Sequence, residues 1–228
     1  MYTLDFETRA IVDCPFVDAP EPVGLAVKHN DKPSAYVTGM DNMYHVLYKA
    51  VVSREPLLFH NAPFDLSVMD QWWGFDDIPW DRVHDTQYLV YLHDPHAKSV
   101  ALKDSAARIL HWDIGAKDEL QEWILDNIPK VKKSEWGAHI ADAPLELVSK
   151  YARQDTDMTY ALYQFLHDKV PRGAYDRERR LAPHLVESTA HGIRVATGAL
   201  EQALERAVEK SHRRHHQEHT EGNAERAR

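Results

Sequence analysis

The 228-residue chain is predicted to fold as an α/β domain, a mixed five-stranded sheet flanked by helices, followed by a C-terminal helical extension. Three observations carry the prediction. Short segments rich in β-branched and aromatic residues come first, helical periodicities alternate with the later ones, and 43% of residues are hydrophobic. That apolar content fills one domain with an appendage, not two large domains.

Residues 2–6 (YTLDF) and 23–29 (VGLAVKH) read as strands, and 34–38 (SAYVT), after a DKP turn, completes an antiparallel meander. Residues 41–53 form a helix with Asp41 as N-cap and Met43, Val46, Leu47 and Val51 on one face. The run 56–60 (PLLFH) is a buried strand. Asn61 starts a turn, and a helix continues through Phe64, Leu66, Val68, Met69 and Trp72. A weak strand at 80–84 precedes helices over 86–93 and 102–112, the latter with Leu102, Ala106, Ile109 and Leu110 inward. The stretch 113–143, with Pro129 and Gly137, gives a helix over 117–127 and then an irregular loop. Pro144 opens, at N1, a helix reaching residue 169 with a break near Arg153. Leu200, Ala203, Leu204, Ala207 and Val208 mark an amphipathic helix running into a polar, frayed tail.

No stretch approaches the roughly 18–20 apolar residues of a membrane helix, and MYTLDFET lacks the plan of a signal peptide. An intracellular protein with no membrane partner is expected. The single cysteine, Cys14, cannot pair within the chain and fits a reducing compartment. Net charge is −9, against the broad basic surface of a non-specific nucleic-acid binder. The acidity is local: residues 1–172 carry −10 and residues 173–228 carry +1. The question is whether a few of these carboxylates converge.

Asp5 and Glu7 lie two apart in a strand, so both leave the same face while Phe6 points to the other. Adjacent carboxylates repel unless a cation or proton lies between them. Alone, such a pair also fits an exposed strand, and Asp65, just after the PLLFHN strand, also fits a helix start favoured by the macrodipole. Tyr151 and Asp155, four apart on a helix, share a face, while Asp157 points elsewhere and reads as structural. Together they supply four hard oxygen ligands and a phenol, distributed as a two-metal site requires. Such a site, with ions ~3.5–4 Å apart, suits in-line hydrolysis of a phosphodiester. His212, His215, His216 and His219 have spacings that fit a transition metal or simply a solvated tail; His60 and His84 flank the presumed site as polar supports.

The blocks LDFET (4–8), FHNAPFD (59–65) and YARQDTDMT (151–159) resemble, in order and separation, the DEDD superfamily of 3′–5′ exonucleases, tyrosine subtype. The segments HDTQYLVYLHDPH (84–96), SVALKDSAARIL (99–110) and YDRERRLAPHLVESTAHGIRV (175–195) look most like family A DNA polymerases, the last like the stretch leading into the polymerase thumb. Nothing in 196–228 resembles palm or fingers motifs. The resemblance implies an RNase H-like exonuclease domain over 1–172, a junction over 173–195 and an extension over 196–228. It implies two divalent cations, Mg²⁺ or Mn²⁺: Asp5, Glu7 and Asp155 hold the first, Asp5 bridges to the second, and Asp65 supports that one. Tyr151 would orient the attacking water with help from Glu7. Thr8, Ile11, Asn61 and Phe64 are carried over as substrate contacts, Ile11 as a wedge against the terminal bases. For Ile11 and Phe64 a core role stays equally open. No stacking aromatic aligns in 113–143; Trp123 is a candidate.

The implied activity is proofreading hydrolysis at a single-stranded or frayed DNA 3′ end, in the cytoplasm of a bacterium or phage-infected host, beside a separately encoded polymerase domain. A short groove stacking a few bases is compatible with the negative charge and predicts a shallow salt dependence of binding. A ribonuclease D-like exoribonuclease and an accessory subunit docking on a polymerase through 196–228 are the alternatives.

Overall fold

The computed structural model describes residues 1–11, 17–77, 79–113, 115–194, 196–208 and 210. Cys14, the four tail histidines and the expected frayed end lie outside them. The strands are β1 (Tyr2–Thr8), β2 (Pro22–His29), β3 (Ala35–Val37), β4 (Leu57–Phe59) and β5 (Val83–Asp85); the helices are α1 (Met40–Val52), α2 (Ala62–Trp73), α3 (Thr86–His93), α4 (Leu102–Leu110), α5 (Gly115–Asn127), α6 (Leu145–Leu166) and α7 (Arg172–His191). The strands form one sheet in the order β3-β2-β1-β4-β5. The first three strands pair antiparallel, and β4 and β5 join parallel, so the sheet is mixed, as expected.

Strand alternation sorts β1 into two functions. Tyr2, Leu4 and Phe6 enter a core with Leu57, Phe59 and Val83, closed by Met43, Leu47 and Ala50 of α1 and Leu66 and Met69 of α2. Leu4, Leu57 and Phe59 are fully buried, each worth about 1.5–3 kcal/mol. Asp5 and Glu7 leave the opposite face, where α6 crosses the sheet. Behind that helix Met158, Leu162 and Leu166 pack with Leu89 and Val90 of α3 and Ala106 of α4. A third cluster, Leu120, Ile124, Ile140 and Val148, joins α5 and α6. The acids thus sit where one anchored strand faces one anchored helix.

Five local expectations are corrected. Gly39, at φ 85°, precedes α1, so Asp41 lies in the first turn rather than at the cap. Pro79 starts a 3-10 turn (Trp80–Arg82), which moves the last strand from 80–84 to Val83–Asp85. Pro144 stands one position before α6 rather than at N1, and α6 runs unbroken past Arg153, where no glycine or proline interrupts its backbone. The 128–143 loop contains a 3-10 helix, Trp136–Asp142.

The chain divides into two compact units, Met1–Ala190 and His191–Arg228. In the first, α7 is fastened to β5: Asp85 N–H donates to the Tyr175 hydroxyl (3.1 Å) and Arg179 donates to the carbonyls of Val83 and Asp81 (2.7 Å each). Most of residues 173–195, expected as a junction, is helical as part of α7. In the second unit residues 197–208 are helical, with Leu200, Leu204 and Val208 exposed. Among the described residues, no helix is long and apolar enough to cross a membrane.

Candidate active site

Asp5 and Glu7 stand opposite Ala26 and Gly24 on β2, and the register shifts between Glu7 and Thr8. A bulge there re-aims the end of the strand. Gly24 is required by close approach: a Cβ would meet the Tyr36 hydroxyl at 2.1 Å. Tyr36, on β3, pairs with Ala26 of β2 and leans over Gly24 beside Glu7. Its hydroxyl is buried, with no hydrogen-bond partner among the described residues, and burial followed by the charges of Glu7 and Asp5 pushes its pKa up.

One oxygen each of Asp5, Glu7 and Asp155 lies within 4.8 Å of the others. Glu7 and Asp155 are buried and Asp5 is half-buried. Burial and then the Asp155 charge hold the Asp5 carboxyl above the usual range; burial, then Asp5 and Asp155, do the same for Glu7. Three converging carboxylates, two of them held above their usual pKa range, could hold a hard divalent cation, which is the chemistry these oxygen donors fit. Tyr151 hydrogen-bonds to Asp155, and burial followed by that charge keeps its phenol protonated. Trp136 packs edge-on against its ring, with centroids 5.8 Å apart.

Asp65 lies outside the trio. It is buried in the first turn of α2, accepts the Phe6 N–H at 3.0 Å, and is close enough to Asp5 for that charge to push its pKa up after burial does. The Phe6 bond ties α2 to β1 between the two strand acids. The helix start itself is set by Asp85, which the sequence reading missed. Asp85 Oδ1 accepts Asn61 N–H (3.0 Å) and Gln87 N–H (2.7 Å), and Oδ2 accepts Ala62 N–H (2.8 Å). One carboxylate thus caps α3 and anchors α2.

A cleft of about 390 Å³ opens beside Glu7, lined by Thr8, Ile11, Phe64 and Gly137 among others. Ile11 is 63% exposed, so its core reading is overturned, while Phe64 both lines the cleft and packs on the core. Asn61 does not line this cleft; it adopts φ 74° and its N–H is held by Asp85. Trp123 packs into the third hydrophobic cluster, and Trp136 is the tryptophan at the acids. Asp157 binds Lys28 (2.9 Å) and Ser34 (2.6 Å), a structural role as read. The second residue missed is Lys103, whose ammonium bonds both Asp155 oxygens and lies 3.8 Å from the centre of the Tyr151 ring.

His60 lines a second cleft with Asp5 and Lys103, its ring between the Thr86 hydroxyl (2.8 Å) and the Val100 carbonyl (3.0 Å). His84 instead stacks on Tyr175 near α7, so its expected place beside the acids is corrected: it lies on β5, two strands from β1. Burial lowers both pKa values to about 4. A neutral histidine with a lowered folded pKa contributes stability above its unfolded pKa near 6.5, and loses it as pH falls towards 4. From pH 7 to pH 5 the wild-type advantage over His84→Gln in urea unfolding is expected to shrink by about 1–2 kcal/mol. A pH-independent difference would contradict the assignment.

A family model described as 3′–5′ exonuclease matches residues 28–171. The matched span holds Asp65, Lys103, Tyr151 and Asp155 and begins after Asp5 and Glu7. A DNA polymerase of Escherichia phage T5 is 26% identical over 160 residues, 66% of this chain and 18% of that polymerase. The chain therefore spans less than a fifth of that relative's length.

Proposed function

The chain belongs to the 3′–5′ exonuclease domain family of family A DNA polymerases, and on that premise we propose that it removes nucleotides from DNA 3′ ends as a proofreading nuclease of the tyrosine DEDD type. The observation that carries the reading is the convergence of Asp5, Glu7 and Asp155 beside the Tyr151 phenol. Asp5, Glu7 and Asp155 are the residues to hold one Mg²⁺ or Mn²⁺, with Asp5 and Asp65 towards a second. When bound, such ions supply Lewis-acid activation of water and stabilise the leaving oxygen.

The protein's own groups do the positioning. Tyr151, kept neutral and braced by Trp136, orients a water as a hydrogen-bonding partner rather than as a base. Glu7 stands between the acids and the cleft, and it accepts a hydrogen bond from that water. Thr8, Ile11 and Phe64 line the cleft where a terminal nucleotide would lie, with Ile11 free to wedge against bases. Asn61 is a weaker contact, since its N–H already serves Asp85. Residues 1–172 are the exonuclease body in this reading, 173–195 a junction and 196–228 an extension. A DNA polymerase is the working partner, supported by the phage relative, and the acidic surface leaves duplex holding to it.

The test is incubation of 3′-tailed DNA, and of RNA of the same sequence, with Mg²⁺ or Mn²⁺. Mononucleotides are expected from the DNA 3′ end faster than from RNA. Trimming from the 5′ end would sink the proposal, and a preference for RNA would move it to the ribonuclease D-like reading.

A further inference from the structure

Three buried carboxylates in and around the site find two kinds of partner. Asp85 and Asp65 receive backbone N–H groups fixed by the fold. Asp155 receives a side chain: both of its oxygens are bonded by the Lys103 ammonium, which reaches across from the first turn of α4. The two side chains are 9% exposed each, so the pair is shielded from water and salt. Fixed N–H groups cannot leave, but a lysine on a four-carbon stem can. Its cleft, about 340 Å³, is bounded by Asp5, His60, Leu102, Asp104 and Trp136, so the ammonium has room to swing off Asp155 without unfolding α4.

We propose that Lys103 is the resident counter-ion of the acidic cluster: it holds Asp155 while no divalent cation is bound, competes with the cation for that carboxylate, and swings into the cleft when the cation takes it. The inference rests on the reading of Asp5, Glu7 and Asp155 as the cation site. A cation drawn to the Asp155 oxygens meets the ammonium's positive charge across them, so the two compete for the same carboxylate. Lys103 therefore weakens metal affinity while offsetting the mutual repulsion of the three clustered acids in the metal-free protein. The Tyr151 ring face beneath the ammonium adds a cation–π contact to the metal-free position.

Mn²⁺ titration calorimetry on wild type, Lys103→Met and Lys103→Arg, with melting curves with and without Mn²⁺, tests this. Methionine keeps the unbranched apolar stem as far as Cε and removes the ammonium. Lys103→Met is expected to bind Mn²⁺ about tenfold more tightly, the order of magnitude for removing one repelling unit charge a few ångströms from the ion. Its melting temperature should fall without metal and recover in excess Mn²⁺. Lys103→Arg, whose planar fork grips a carboxylate at two points, should keep the metal-free stability and bind Mn²⁺ more weakly than wild type. Equal or weaker Mn²⁺ binding by Lys103→Met, with the same loss of stability in both buffers, would make the lysine a plain structural partner and overturn the proposal. Wild type that binds no Mn²⁺ at all would overturn the cation-site reading beneath it.

Discussion

Asp5→Asn is expected to lower 3′-end hydrolysis by at least about 10³-fold, roughly 4 kcal/mol of transition-state stabilisation, and to raise the melting temperature in metal-free buffer. Asparagine fills the same volume on β1, so the sheet, with Leu4 and Phe6 packed on its other face, has no reason to shift. What is lost is the negative charge between Glu7 and Asp155 that a shared cation needs. The same charge is a liability without the cation, as the upward displacement of the Asp5 and Glu7 pKa values records. Relief of about 1 kcal/mol moves the midpoint by about 2–4 °C in a chain of this size. Single-turnover hydrolysis of a labelled 3′ tail and calorimetric melting in chelator and in Mn²⁺ measure both sides. The variant should also lose the stabilisation that Mn²⁺ gives wild type. Hydrolysis within tenfold of wild type at saturating metal would remove Asp5 from the reaction. Lost hydrolysis with a lower melting temperature would assign the effect to misfolding.

That opposition between stability and activity explains which parts of the site are legible in sequence. Asp5 and Glu7 can be read because a strand repeats every two residues, and Tyr151 and Asp155 because a helix brings i and i+4 together. Both are local rules, and they also recover the meander and most helices. What brings the pairs to one another is the crossing of α6 over β1, which only the family resemblance anticipates. Lys103 is 52 residues from its partner, and a lysine on a helix otherwise reads as solvated. Its signal is a mismatch of sign, a cation in the first helical turn, where the macrodipole favours an acid, within the apolar run VALK. Trp136 gives no such signal. Its place beside Tyr151 comes from a 3-10 helix that packs on α5 and α6, whereas Trp123 has the periodicity of a buried helical face.

Asp85 is the more instructive omission, because its signal is available: an acid closing a short strand immediately before a helix is a standard N-cap. The reach of its second oxygen to α2 cannot be read from that pattern. Asp85→Ala is expected to destabilise the protein by about 3–5 kcal/mol, since it leaves the buried Ala62 N–H and the part-buried N–H groups of Asn61 and Gln87 without their acceptor. Asp85→Asn separates the parts. Its single oxygen can still accept from Asn61 and Gln87, but the amide nitrogen then faces the Ala62 N–H, donor against donor, so an intermediate loss of about 1–3 kcal/mol follows. The damage should reach catalysis through geometry, because α2 begins at Ala62 and Asp65 lies within its first turn, bonded to Phe6 between the two strand acids. Urea unfolding gives the ordering wild type, Asn, Ala. Under conditions where Asp85→Asn remains folded, its turnover should fall with little change in DNA affinity, since Thr8, Ile11 and Phe64 keep their cleft. If the asparagine variant matches wild type in both stability and turnover, the second oxygen of Asp85 does not position the site.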